Sequence, residues 1–124
     1  MKKGEELQVI VKAKDLAEHT IRVTSNCKTF PKKYRFTLVD KMQVKSLSIY
    51  EKLMEANILQ VGDIRRIELQ TQVITYCDEI QFFIELTVRL GIINVVRAEY
   101  WISLISAIKS MTIAWRKRDK ERSK

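Results

Sequence analysis

The side chains of this sequence that could perform catalysis are not arranged for it. His19 is the only histidine, so a metal site built on a histidine cluster has no basis. The carboxylate pairs Asp78–Glu79 and Glu51/Glu55 are not accompanied by an arrangement of histidine, cysteine or serine that acts as a base, so acid–base catalysis has little support. Three isolated glycines cannot form a phosphate-binding loop. We therefore expect a protein that is not an enzyme, with no catalytic residue, no metal, no cofactor and no small-molecule substrate.

These residues have simpler structural interpretations. We expect the carboxylates to lie on solvated helix faces and His19 to lie at a boundary between core and solvent. Cys27 and Cys77 are far apart in the sequence and belong to no C-x-x-C motif. We interpret both cysteines as reduced, buried, small apolar side chains.

The basic residues are concentrated in two segments, in a chain with 23 Lys and Arg against 15 Asp and Glu and a net charge of +8. Residues 22–45 hold seven basic residues and one acid, Asp40, and the segment 116–124 is also mostly basic. The candidate nucleic-acid contacts are Arg22, Lys28, Lys32, Lys33, Arg35, Lys41, Lys45, Arg116, Lys117 and Arg118. Such clusters suit phosphate contacts, which give affinity without reading sequence. The alternative is an ordinary solvated surface.

Two aromatic residues, Tyr34 and Phe36, alternate with basic residues in the first cluster. Aromatic rings in such a setting could stack on unpaired bases of RNA or DNA. The alternative, which we favour slightly, is that both rings pack over the end of the fold.

The apolar residues recur with the period of a helix in four segments, so we predict helices over 7–29, 38–57, 64–90 and 95–117. The four predicted buried stripes are Val9, Ala13, Leu16, Thr20, Val23, Cys27 and Phe30; Leu38, Met42, Ser46, Ile49, Leu53 and Ala56; Ile67, Gln70, Ile74, Cys77, Gln81, Ile84 and Val88; and Ala98, Trp101, Ile105, Ile108, Thr112 and Trp115. The two tryptophans are expected in the core, with a subunit interface as the alternative.

Local signals mark the ends of these helices. Pro31 should stop the first helix. Thr37 resembles the start of a capping box, while Asp63 and Asn94 are N-cap candidates for the third and fourth helices. Gly91 follows the last periodic residue of the third helix, as a C-terminal stop does.

These elements predict an all-α fold, an antiparallel up-down-up-down four-helix bundle that forms one domain over 1–124. In this topology the two basic segments lie at opposite ends of a subunit. We expect the basic tail 116–124 to fray. The outward apolar residues, namely Ile10, Ile21, Leu47, Ile64, Phe83 and Ile113, suggest self-association.

The location is expected to be cytoplasmic. The most apolar stretch, 73–96, contains Asp78, Glu79, Glu85 and Arg89 and therefore should not span a membrane. Lys2 and Lys3 are followed by Gly4, Glu5 and Glu6 and not by the apolar run of a signal peptide.

Three stretches together resemble a known family: KDLA at 14–17, FPKKYRFTLVD at 30–40, and the Tyr-Trp and Trp-Arg pairs at 100–101 and 115–116. The chain resembles, over residues 12–118, the four-helix-bundle family of the accessory variability determinant (Avd) of diversity-generating retroelements. That superfamily includes bundles encoded in intervening sequences of large-subunit ribosomal RNA genes.

The resemblance implies a basic homopentamer that binds the retroelement's reverse transcriptase and its template nucleic acid, and that supports mutagenic copying without catalysis. It also implies that Pro31, Lys32, Lys33 and Arg35 form a turn that presents charge. The function expected from the sequence is thus an accessory protein that binds RNA or DNA and a reverse transcriptase. The alternative is a self-assembling bundle that binds a protein partner without nucleic acid.

Overall fold

The computed structural model describes residues 3–123, which form four long helices and no β-strand within that range. Helix α1 spans Lys3–Thr24, α2 spans Asp40–Ile58, α3 spans Ile64–Arg89 and α4 spans Val95–Arg122. Helix α1 packs against α2 and α4, and α3 packs against the same two helices, so all four close around one core. The predicted all-α four-helix bundle is confirmed. In the described part of the chain, no helix has the length and apolarity needed to span a membrane.

The core is built on the predicted stripes of α2 and α4, every member of which is buried. Trp101 and Trp115 are its largest side chains, and their predicted core position is confirmed. The Nε1 atom of Trp101 donates a hydrogen bond of 3.0 Å to Oγ1 of Thr20, which joins α4 to α1. Since the chain buries both indoles in its own core, neither is available for a subunit interface.

Helix α1 ends at Thr24, five residues before the predicted end. Oδ1 of Asn26 accepts a hydrogen bond from the amide of Lys28 at 3.0 Å, and the carbonyl of Asn26 accepts one from the amide of Phe30 at 2.8 Å. This local turn replaces the helical hydrogen bonds. The prediction that Cys27 is buried was therefore wrong, because Cys27 lies in the turn and is exposed, whereas Cys77 is buried.

Helix α2 begins without the predicted capping box. Lys32–Tyr34 form a 3₁₀ turn and Arg35–Val39 form a wider π-helical turn that runs directly into α2. The amide of Asp40 donates to the carbonyl of Arg35. Thr37 is exposed and gives no cap, since the preceding helical turns already supply backbone acceptors to the first amides of α2.

The face of α3 that is buried differs in part from the face that was predicted. Gln70, Cys77 and Ile84 are buried as predicted, but Ile67, Ile74, Gln81 and Val88 are only half-buried. The remaining buried positions are Arg66, Leu69, Val73, Ile80 and Thr87. The periodicity was ambiguous because this helix carries apolar residues on more than one face.

The predicted N-caps of α3 and α4 and the predicted stop after α3 are confirmed. Oδ1 of Asp63 accepts a hydrogen bond from the amide of Arg65, and Oδ1 of Asn94 accepts one from the amide of Arg97, both at 2.9 Å. Gly91 has φ +76°, and the neighbouring amide of Ile92 donates to the carbonyl of Thr87 at 2.8 Å. This is a glycine C-terminal stop in which an L side chain would be strained.

The predicted fraying of the tail was wrong over the residues described. Helix α4 continues to Arg122 because Asp119, one turn beyond Trp115, is buried and accepts hydrogen bonds from Arg66, Gln70 and Arg122. Lys124 of the predicted tail lies outside the described residues.

Two of the six apolar residues that were predicted to face outward do not do so. Ile10 is buried and Phe83 is half-buried, because each faces a neighbouring helix. Ile21, Leu47, Ile64 and Ile113 are exposed, as predicted.

Candidate nucleic-acid interface

The first turn, defined here as residues 25–39, contains a largely exposed stretch, 31–37, with a buried side chain on each side. Phe30 is 2% exposed on one side, and Leu38 and Val39 are 4% and 9% exposed on the other. Pro31 between them is extended, with φ −58° and ψ 147°, and starts the 3₁₀ turn. Because the apolar residues on either side enter the core, the polar residues between them are held at the surface.

Five of the candidate contacts form an exposed cationic group at this end of the bundle. Lys28, Lys32, Lys33, Arg35 and Lys41 are all exposed. None of them has a carboxylate of the described residues within 4.0 Å. Their charge is therefore not neutralised by the fold, and it is available to an anion. We call these five residues the first-turn cations.

The other two basic residues of this segment are already paired. Nε of Arg22 lies 2.9 Å from a carboxylate oxygen of Glu18, and both side chains are well exposed. Nζ of Lys45 lies 2.6 Å from Glu79 of α3 and is half-buried. An anion would have to compete with these carboxylates, so Arg22 and Lys45 are weaker candidates than the first-turn cations.

The two aromatic residues of the turn differ from each other. Tyr34 is half-buried and packs against the core, in line with the packing alternative. Phe36 is 77% exposed, and the guanidinium of Arg35 lies 5.9 Å from the centre of its ring. Only Phe36 therefore offers a ring face at the surface that could stack on a base.

The second candidate group lies at the opposite end of the bundle. Arg116 is half-buried and donates to Oγ1 of Thr71 at 3.2 Å, while Lys117 and Arg118 are exposed. The rise of a helix places Lys117 about 30 Å from Val96, which lies at the first-turn end of α4. The structure therefore does not bring the two predicted basic segments together within one chain.

Sequence reasoning missed two arginines near the first turn. Arg89 ends α3 and Arg97 is the third residue of α4, so the topology places both at the end of the bundle that carries the first-turn cations. Arg97 also lines a pocket together with Val23 of α1. The sequence did contain the information needed to find them, because the predicted bundle already placed the link between α3 and α4 beside the first turn.

Burial also shifts the pKa of two titratable side chains outside the basic segments, Cys77 and His19. Burial, assisted by the negative charge of Asp78, raises the pKa of the Cys77 thiol to about 12, against a smaller opposing effect of Lys109. Burial and the positive charge of Arg97 lower the pKa of His19, whose ring stacks edge-on against Tyr100 with 4.9 Å between ring centres. Among residues 3–123, no group of three or more His, Cys, Asp or Glu side chains could hold a metal ion.

A solved structure with the same fold was found by structural comparison. It is the crystal structure, at 1.70 Å resolution, of a protein of unknown function from the S23 ribosomal protein family of Bacteroides thetaiotaomicron. The two chains share 17% sequence identity and superpose with a TM-score of 0.81, over 91% of this chain and 98% of the other. No protein-family model matches this sequence, and no curated protein sequence matches it. At this identity the likeness establishes the fold, a small helical bundle of the kind found in the S23 family.

Proposed function

We propose that this chain is a non-catalytic accessory protein that binds RNA or DNA together with a reverse transcriptase, as the Avd-like proteins that it resembles do. In that role it would support mutagenic reverse transcription in a diversity-generating retroelement. The observation that carries the proposal is the group of exposed first-turn cations, which have no carboxylate of the described residues within 4.0 Å. Three of them, Lys32, Lys33 and Arg35, lie between the buried residues Phe30 and Leu38. A bundle with the same fold belongs to a ribosomal protein family, which keeps RNA among the expected ligands.

The test replaces Lys32, Lys33 and Arg35 together by alanine. Binding of a fluorescent 12-nucleotide single strand is measured by anisotropy at several salt concentrations. The slope of log affinity against log salt for the unaltered chain reports the number of phosphate contacts, at about 0.7 per contact for a single strand. The triple variant should bind more weakly and reduce this slope by about 2, since three contacts are lost.

The control for this test removes the same charge elsewhere. Lys12, Lys14 and Lys52 lie on α1 and α2 away from the first turn, and their triple alanine variant has the same net charge. This control should retain nearly the affinity of the unaltered chain. Equal weakening by both variants would mean that only net charge matters and would reject the first turn as the site.

A second candidate function, a self-assembling bundle that binds a protein partner, is favoured by apolar residues around the link between α2 and α3. Ile58 is 79% exposed, Ile64 is 75% exposed, and Val61 lies between them. We propose that such surfaces support a homo-oligomer, a pentamer by resemblance to the Avd-like family. Light scattering of the pure protein would give the subunit number, and a complex that is insensitive to salt and lacks nucleic acid would favour this second function.

A further inference from the structure

A pocket of about 320 Å³ opens between the end of α1, the first turn and the start of α2. Its lining combines three kinds of chemistry. Lys32 and Arg35 supply positive charge, Asp40 and Gln43 supply polar groups from α2, and Phe30 supplies an apolar wall. The volume is at the lower end of the range for ligand pockets, so it suits a single nucleotide unit better than a large cofactor.

The polar groups from α2 are arranged as hydrogen-bond acceptors. Nε2 of Gln43 donates to Oγ1 of Thr24 at 2.9 Å and lies 3.4 Å from Oγ of Ser25. Thr24 is itself buried and bonded to the carbonyl of Thr20 at 2.6 Å, so the amide of Gln43 is held by a fixed hydroxyl. This leaves Oε1 of Gln43, which no described residue contacts through a hydrogen bond, and the carboxylate of Asp40 as acceptors.

This combination discriminates between possible ligands. A bare phosphate would be attracted by Lys32 and Arg35 but repelled by Asp40, which lines the same pocket. A nucleotide satisfies all three kinds of lining, because it carries an anionic phosphate, N–H donors on the edge of its base and flat apolar faces. In a duplex those base edges are paired with the other strand, so they are available only on an unpaired base.

We propose that this pocket binds one unpaired nucleotide of a single-stranded nucleic acid, with its phosphate at Lys32 and Arg35 and its base edge at Asp40 and Gln43. The inference rests on the proposed function, which requires only that nucleic acid binds to the first turn. It goes further in specifying a single strand and a defined place for one base.

The exposed thiol of Cys27 allows the pocket to be tested by chemical modification. Cys27 lines the pocket and is exposed, whereas Cys77 is buried and has a pKa of about 12, so a maleimide at neutral pH reacts at Cys27. N-phenylmaleimide at Cys27 fills the pocket without changing the charge of the protein. Anisotropy then compares a fluorescent 12-nucleotide single strand with a blunt duplex of the same sequence. The adduct should lower affinity for the single strand about tenfold, the loss expected for one well-placed base, and leave affinity for the duplex within about twofold.

The matched control is the Cys27→Ser variant, whose affinity for each probe should be the same before and after treatment with the reagent, because Cys77 is buried. Unchanged single-strand binding by the adduct would overturn the proposal that this pocket binds a nucleotide. The proposed function would still stand if the Lys32, Lys33 and Arg35 variant binds nucleic acid weakly. Equal weakening for both probes would also overturn the nucleotide-binding proposal, because the adduct would then only be covering the surface. Failure of the unmodified protein to bind either probe would reject the proposed function and this inference with it.

Discussion

Arg66 is a cation that the fold buries almost completely, with 6% of its surface exposed. Its guanidinium forms a fork of two hydrogen bonds to Asp119, at 2.7 and 3.2 Å, and donates to the carbonyl of Leu59 at 2.6 Å. Burial alone would raise the pKa of Asp119, but the hydrogen bonds from Arg66, Gln70 and Arg122 outweigh it and hold that pKa below its usual value. One residue of α3 therefore joins the link between α2 and α3 to the end of α4.

Replacement of Arg66 by alanine should be strongly destabilising. Loss of one member of a buried, hydrogen-bonded pair leaves a buried charge poorly compensated, at a cost of about 3–5 kcal/mol. The matched control is Arg65→Ala, which removes the same charge one residue away. Arg65 is exposed, and its contacts with Glu55 and Glu68 are 3.7 Å long, so this change should cost less than about 1 kcal/mol. Urea unfolding of both variants measures the difference, and similar midpoints would contradict the role given to Arg66.

This pair could not be found from the sequence. Arg66 and Asp119 are 53 residues apart, and single charged residues are generally expected in solvent. The excess of basic residues in 116–124 also hides the one acid that matters there. By contrast, the exposed cations on either side of Pro31 could be predicted, since a run of charges in a short segment between two helices is a local feature.

The helices differ in how their ends are stabilised. Asn94 caps α4 with its side chain, whereas α2 begins from a helical turn and receives no side-chain cap. The sequence predicted a cap at both places, because Thr37 and Asn94 are each suitable residue types. The difference lies in the backbone that precedes each helix, which residue type alone does not determine.

Alanine substitutions at Asn94 and Thr37 should show which of the two residues stabilises the start of its helix. Asn94→Ala should lower the free energy of unfolding by about 1 kcal/mol, the usual cost of losing an N-cap. Thr37→Ala should change it by less than about 0.5 kcal/mol, as for an ordinary surface position. Asn94→Ser should recover most of the loss in the same denaturation experiment. An equal loss at Thr37 and Asn94 would show that the capping box forms after all.

The apolar stripes were predictable where a helix has one clear apolar face. The predicted stripes of α2 and α4 are buried throughout. In α3, residues such as Ile74 and Phe82 lie away from the buried face, and Phe82 is 58% exposed. Two registers were therefore compatible with the spacing, and only packing against α2 and α4 decides between them.

At the scale of the whole molecule, positive charge is divided between two ends. The first-turn cations occupy one end, while Lys117 and Lys120 are exposed at the other. A separation of about 30 Å along α4 exceeds the Debye length of about 8 Å at physiological salt, so the two ends act on a ligand independently.

Paired substitutions can distinguish the contributions of the two ends. Lys32→Ala with Lys33→Ala should reduce the salt slope for a 12-nucleotide single strand by about 1.4, the value for two phosphate contacts. Lys117→Ala with Lys120→Ala makes the same change in net charge and should reduce the slope by less than half as much. A larger effect of the second pair would place the binding site at the end of α4.

The burial of Asp119 has a consequence for how the end of α4 can meet another molecule. Because this residue fixes the last turns of the helix in the bundle, the side chains around it keep constant directions. Successive residues of a helix point about 100° apart, so Lys117, Arg118 and Lys120 project in three directions around the axis. A ligand that curves around the tip of α4 therefore meets more of these positions than a flat partner does.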